Sequence, residues 1–206
     1  MIGPRALLHS PRVLPVPPAT DLLPRLRAGD RDARRALFEG WTPIVMRWCA
    51  SLGGPRVDAE DAAHDVLVTA MRRLADLRDD TRFDAWMFGI TRRVLAAHRR
   101  SAWVRRWLPS ATMEVPDPAD GPGARTERSE LAARVQGVLD QLPTELREVL
   151  VLCDLEERPD EAVAVLIQIP TGTVKSRLRR ARERFALLAQ DADLAPNRPA
   201  HAGGDR

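Results

Sequence analysis

The sequence predicts an all-α protein built as two small helical domains joined by a flexible linker. Apolar residues recur at three- and four-residue spacing through most of the 206-residue chain, the period of helices burying one face. No strand pattern survives, because the short apolar run from Val163 to Ile169 sits between helical signals. The periodicity breaks over residues 109–126, where four prolines and two glycines crowd together, and then resumes.

The elements follow in order. Residues 1–19 hold Pro4, Pro11, Pro15, Pro17 and Pro18 and read as a flexible leader. Residues 20–108 form the first domain. Asp30 is placed to cap a helix over 30–52, which Gly53, Gly54 and Pro55 end. A second helix, over 58–77, aligns Ala63, Val66, Leu67, Ala70, Met71, Leu74 and Leu77. A third, over 82–100, aligns Phe83, Trp86, Met87, Ile90 and Val94, and Trp86 is assigned to the core rather than to ligand stacking. Trp103 and Trp107 have no clear place: stacking on DNA, packing under the linker and meeting a regulatory partner all fit. The linker spans roughly 20–25 Å as a coil and ~55 Å when stretched. Residues 127–189 form the second domain. Leu131, Val135, Val138, Leu139 and Leu142 share one stripe, Pro143 begins a helix with Leu146, Val149, Leu150 and Cys153 inward, and a short helix covers 160–166. Residues 190–206 read as a disordered tail.

Composition narrows the function. The net charge is only +3, but no acidic residue occurs from Ala85 to Met113, where Arg92, Arg93, Arg99, Arg100, Arg105 and Arg106 all stand. A second basic segment lies near the C-terminus, and the pair favours a polyanionic partner. Cys49 and Cys153 lie in apolar helical contexts and read as buried free thiols. The four histidines lack ligand spacing, so neither a metal nor a cofactor is expected. Tyrosine is absent, and no phosphate-cradling glycine loop or nucleophile–base pattern occurs, so no enzymatic activity is expected. No apolar run approaches ~18 residues. A cytoplasmic protein without direct membrane insertion is the expectation.

The most informative stretch runs from Ile169 to Phe185, IPTGTVKSRLRRARERF. Ile-Pro makes a turn, Thr171 or Thr173 is placed as N-cap, and six basic residues (Lys175, Arg177, Arg179, Arg180, Arg182, Arg184) fall within ten positions. Entered by a short turn from another helix, this is what the second helix of a helix-turn-helix requires: its N-terminal residues reach base edges while its flanks meet phosphates. A solvated charged face is the competing reading, and for Arg182 and Arg184 a pair with Glu183 competes evenly.

The residues LDQLPTELREVLVLCDLEERPDEAVAVLIQIPTGTVKSRLRRARERF resemble region 4 of extracytoplasmic-function sigma factors of the sigma-70 family. The earlier segment DAEDAAHDVLVTAMRRLADLRDDTRFDAWMFGITRRVLAAHRR resembles region 2. The resemblance covers about residues 21–188 and implies a sigma factor that binds core RNA polymerase, recognises promoters and melts DNA. It implies −35 contacts from Thr171, Thr173, Lys175, Ser176, Arg177, Arg179, Arg180 and Arg182. It implies a −10 site at Asp79, Asp80, Thr81 and Arg82, with Arg92 and Arg93 on the strand backbone. Asp61, His64 and Asp65 fall at positions that face the polymerase β′ coiled coil, the acidic first turn of a helix being the plainer reading of Asp58, Glu60 and Asp61. The other implied partners are the β flap, promoter DNA and an anti-sigma factor.

The chain departs from the family pattern at His64, Leu67 and Arg93, where Gln, an aromatic residue and Asn are usual. Pro159 and Asp160 replace a Ser-aromatic pair, with Asp160 able to cap. Gln168 stands where glycine usually closes the first helix of the motif, at an expected cost of about 1 kcal/mol if φ is positive. The rival functions are a helix-turn-helix regulator acting without polymerase, a degenerate sigma-like protein without initiation activity and, least favoured, a DNA-processing enzyme.

Overall fold

The computed structural model describes residues 21–107 and 127–192, with side chains over 21–103 and 130–192. The leader, the linker and most of the tail expected from the sequence lie outside the described residues, as do the side chains of Arg105, Arg106 and Trp107. Among the described residues there are eight α-helices and no strand.

The N-terminal half comprises α1 (Leu22–Arg27), α2 (Arg31–Gly53), α3 (Ala59–Arg72) and α4 (Phe83–Trp107). Asp30 caps α2 as expected, its carboxylate accepting from the Asp32 and Ala33 amides at 2.8 and 3.3 Å. Asp58 does the same for α3, accepting from Glu60 and Asp61 at 2.9 Å. Helix α2 ends where two glycines remove side-chain bulk: a Cβ on Gly53 would come within 3.1 Å of Val57, and Gly54 has φ 88°. The expected helix over 58–77 stops at Arg72; a 3-10 turn, Leu74–Asp76, follows and still buries Leu74 and Leu77. A tighter turn carries the same apolar face inward, so periodicity alone did not mark the break.

The core of this half is aromatic. Trp41 meets Phe83 edge-on at 5.0 Å and Trp48 meets Phe88 at 4.9 Å, all four rings being buried. Trp86 is half-buried beside Phe83, forming both core margin and cleft wall. Phe88 and Leu95 join the core although the expected stripe omitted them.

The C-terminal half comprises α5 (Glu127–Leu139), α6 (Thr144–Leu150), α7 (Asp160–Ile167) and α8 (Thr171–Asp191). Helix α6 runs on into a π-turn, Val151–Leu155, and α8 extends two residues past the expected end of the domain. Val174, Leu178, Ala181, Phe185 and Ala189 form its buried stripe. Neither Thr171 nor Thr173 is the N-cap, which corrects that expectation. Pro170 takes the position, its carbonyl accepting from the Thr173 and Val174 amides, and Thr171 is the first helical residue. Likewise Pro159, not Asp160, precedes α7, and Asp160 makes no cap hydrogen bond.

Gln168 adopts φ 60° and ψ 48°, the left-handed conformation that its place in the turn demands. Gln168→Gly is therefore expected to stabilise the chain by about 0.5–1 kcal/mol, relief of the Cβ clash exceeding the added freedom of the unfolded chain. Urea denaturation checks the sign; a loss of stability would refute a strained turn.

Helix α7 packs on α4, so the two halves are in contact. Between them lies a cleft of about 570 Å³, walled by Trp86, Arg92, Arg93 and Arg99 on one side and by Glu148, Leu166 and Gln168 on the other.

Candidate nucleic-acid interface

Helix α8 buries its apolar stripe and thereby presents Lys175, Arg179, Arg180, Arg182 and Arg184 to solvent. Lys175 is exposed at the N-terminal end, where a recognition helix reaches bases. Arg179 pairs with Glu183 at 3.0 Å, an exposed contact one helical turn apart that contributes little stability. Arg180 donates from Nε to the Ser176 carbonyl at 3.3 Å, and Ser176 Oγ donates to the Thr173 carbonyl at 3.0 Å. Thr171 and Thr173 are half-exposed, and Gly172 between them has open space above its Cα.

Arg182 and Arg177 of α8 also interact with acidic groups of the fold. Arg182 grips the buried Asp154 carboxylate with both Nε and an Nη, at 3.0 and 2.6 Å. Half of its side chain remains exposed, yet the fork anchors α8 to the π-turn. The pairing with Glu183 belongs to Arg179, not to Arg182. Arg177 is half-buried and acts electrostatically on Glu148.

In the N-terminal half, Asp79, Asp80, Thr81 and Arg82 form a 3-10 turn leading into α4. Asp79 closes it, accepting from the Thr81 amide and hydroxyl at 3.0 and 2.6 Å. Asp80 faces away and is clamped by Arg27 of α1 at 2.6 and 2.8 Å, while Arg27 also donates to the Leu77 carbonyl. That guanidinium holds the Asp80 carboxyl below its usual range. Arg82, Arg92 and Arg93 are exposed and line the cleft beside Asp79. Phe83 is fully buried and offers no stacking surface, whereas Trp103 is 58% exposed on the same helix.

Asp61, His64 and Asp65 all lie exposed on α3. Asp65 is bonded to the His98 ring at 2.9 Å, tying α3 to α4. Cys49 and Cys153 are free thiols, both pushed up to about 12 by burial, which suppresses the thiolate. Among the described residues no group of side chains is arranged to hold a metal.

The family model for Sigma-70 region 2 matches residues 37–105, and that for Sigma-70, region 4 matches residues 132–185. The extracytoplasmic-function (ECF) RNA polymerase sigma factor SigM of Mycobacterium tuberculosis is 32% identical over 168 residues, 82% of this chain and 83% of that one. SigD of the same organism is 31% identical over 77% of each chain. The chain belongs to the ECF RNA polymerase sigma factors. SigE of Mycolicibacterium smegmatis is 32% identical over 76% of this chain but only 64% of its own longer one. Among solved structures, CnrH in complex with the cytosolic domain of CnrY is 26% identical, with TM-score 0.62 over 85% of this chain and 98% of that one. The sigma factor RpoE of Bartonella quintana, in complex with the anti-sigma factor NepR, is 22% identical with TM-score 0.57 over 78% and 98%, a likeness of fold.

As a sigma factor the chain directs transcription initiation, and its two motif-bearing halves carry further polar residues that sequence reading did not single out. Glu148, on α6, is buried and accepts from Arg92 of α4 at 2.8 Å. Burial pushes its carboxyl up, against the opposing pull of Arg92, Arg177 and Arg99. Glu156 is also buried; Arg158 donates to it at 2.8 Å from its own half and Arg47 at 3.4 Å from α2. In sequence these carboxylates look like solvated charges on a polar helix face. The one signal for Glu148 was its place inside the stretch that resembles region 4.

Proposed function

We propose that this sigma factor binds core RNA polymerase through the exposed Asp61–His64–Asp65 face of α3 and through its C-terminal half at the β flap, and carries it to promoters. Helix α8 reads the −35 element in the major groove, with Lys175, Ser176, Arg179 and Arg180 at base edges and phosphates. Thr171 and Thr173 border its phosphate-facing N-terminus. The turn at Asp79–Arg82 and the arginines of α4 capture the opened −10 strand. Arg182 serves chiefly as the anchor that sets the angle of α8, and Arg177 as a charge acting on Glu148. The observation that carries this reading is the pairing of two exposed arginine-rich surfaces, on α8 and on α4, in one chain with both sigma regions. Opening a base step costs a few kcal/mol, offset by cationic backbone contacts and base capture, so no bond chemistry is required.

The protein acts in the cytoplasm, and an anti-sigma factor restrains it, a reading supported by the complex of RpoE with the anti-sigma factor NepR. Run-off transcription with core polymerase and a promoter library tests the reading: new start sites and co-purification of core enzyme are expected. DNA binding without core association would instead mark a helix-turn-helix regulator, and core binding without start sites a degenerate sigma factor. Arg180→Glu is expected to reduce −35-dependent initiation at least tenfold, since one bidentate contact supplies about 1–3 kcal/mol of discrimination and the reversed charge adds repulsion. An unchanged start-site profile would remove Arg180 from the interface.

A further inference from the structure

We propose that Arg27 of α1 is a positioning residue for −10 selectivity: it fixes the turn that captures the opened strand while standing off the strand-binding face itself.

The turn at Asp79–Arg82 has local bonds of its own, from the Thr81 amide and hydroxyl to the Asp79 carboxylate and from the Arg82 amide to the Asp79 carbonyl. Such bonds set the shape of a turn and not its place on the protein. Leu77 and Phe83 are buried on either side, and the residues between them are exposed or half-buried. Arg27 supplies the long-range tie. One Nη donates to Asp80 Oδ2 at 2.8 Å, and the other donates to Asp80 Oδ1 at 2.6 Å and to the Leu77 carbonyl at 3.1 Å. A single guanidinium therefore fastens both ends of the Leu77–Asp80 segment, with a planar fork that an ammonium group cannot copy.

The mount of Arg27 is itself fixed. Leu23 and Leu26 bury α1 in the core. The chain then turns at Gly29, with φ 81°, into Asp30, whose carboxylate caps α2 and accepts from Arg25 at 2.8 Å. Position is thus carried from the core through α1 to the turn.

The tie also sorts the charges of the turn. Asp79 and Arg82 line the cleft beside Arg92 and Arg93, whereas Asp80 and Arg27 are not part of its wall. Asp80 is half-buried and held ionised by Arg27, so its charge is paired and turned away from incoming phosphates. In this reading Asp80 is a tether and not a base contact. Selectivity needs such placement, because recognition groups displaced by more than about 0.5 Å lose their productive geometry. Released from Arg27, the turn samples other positions, and only those bases that depend on it lose affinity.

This inference rests on the strand-capture reading of the turn, and two readouts separate them. Initiation by core polymerase with the full chain, on a promoter library randomised at −10, reports base preference. Arg27→Gln is expected to flatten that preference about fivefold, the factor for a competent turn populated at one part in five, with little change at non-preferred sequences. Arg27→Lys keeps the charge without the fork and is expected to fall between. Asp80→Asn alters the local charge in the opposite sense, yet is expected to flatten the preference likewise, which charge alone cannot produce. Arg27→Glu combined with Asp80→Arg rebuilds the tie in reverse and is expected to recover most of the preference; failure of this rescue would make Arg27 a direct DNA contact and overturn the proposal. Hydrogen exchange of the Thr81 and Arg82 amides in the full chain reports the tether without DNA. It is expected to quicken about fivefold or more in both single variants while α2 and α8 stay unchanged, and unchanged exchange at the turn rejects the tether. Start sites from wild type with the same preference in Arg27→Gln, or with an equal loss at every −10 sequence, overturn the proposal and leave the promoter reading standing. An absence of start sites from wild type rejects the promoter reading and the selectivity role with it.

Discussion

Arg147→Ala is expected to destabilise the chain by about 3 kcal/mol at neutral pH, within the range for removing one member of a buried ion pair. Arg147 is 7% exposed, and its guanidinium is shared among the Asp140 carboxylate at 3.2 Å and the carbonyls of Asp140, Leu142 and Leu52. Truncation leaves a largely buried carboxylate with only Gln136 donating to it, and deprives two local carbonyls of a partner. Arg147→Lys retains the charge but not the planar fork, so it is expected to recover less than half of the loss.

The pH dependence follows from Asp140. Burial already lifts its carboxyl above the usual 3.8, outweighing the Arg147 charge. A native value above the unfolded one means that the group adds stability below pH 3.8 and loses it as pH rises through the native value. Removing Arg147 raises the native value further. The penalty is therefore expected to be full at pH 7 and to shrink as the solution is acidified toward the protonated carboxyl. Urea denaturation at pH 7 and pH 5 measures this; a penalty that grows at pH 5 would contradict the assignment.

Trp48→Ala is expected to cost about 4 kcal/mol, as for large aromatic residues removed from a core. Trp48 is fully buried, with edge contacts to Phe88 at 4.9 Å and Trp41 at 6.3 Å, and the Arg158 guanidinium lies over its ring. Its loss opens a cavity at the centre of the N-terminal half and weakens the seam with the C-terminal half. Trp48→Phe is expected to cost about 1 kcal/mol or less, because two effects oppose. The smaller ring leaves a void, but the buried Nε1–H, which has no hydrogen-bond partner, disappears. Thermal or urea unfolding of both variants decides the matter. A phenylalanine variant as unstable as the alanine one would show that the indole nitrogen makes an essential contact.

Much of the fold was legible in the chain because helices announce themselves locally. Asp30 and Asp58 act on amides two and three residues away, and the buried stripe of α8 repeats within one helix. The glutamine-for-glycine exchange at position 168 was readable for the same reason: a left-handed turn is a demand of the local backbone. Thr171 and Thr173 misled because a proline carbonyl serves the first turn as well as a side-chain cap does.

The sequence thus decided helix content, the place of the two basic surfaces and the membership of the sigma family, all of which follow from short-range periodicity, capping and ordered motifs. It did not decide which charges are free. Arg92 and Glu148 stand 56 residues apart and Arg47 and Glu156 stand 109 apart, so nothing local distinguishes them from solvated side chains. Whether an arginine meets water, a phosphate or a buried carboxylate depends on which surfaces the packing of α4, α6 and α7 brings together, and Coulomb attraction across a desolvated seam acts only once that packing exists.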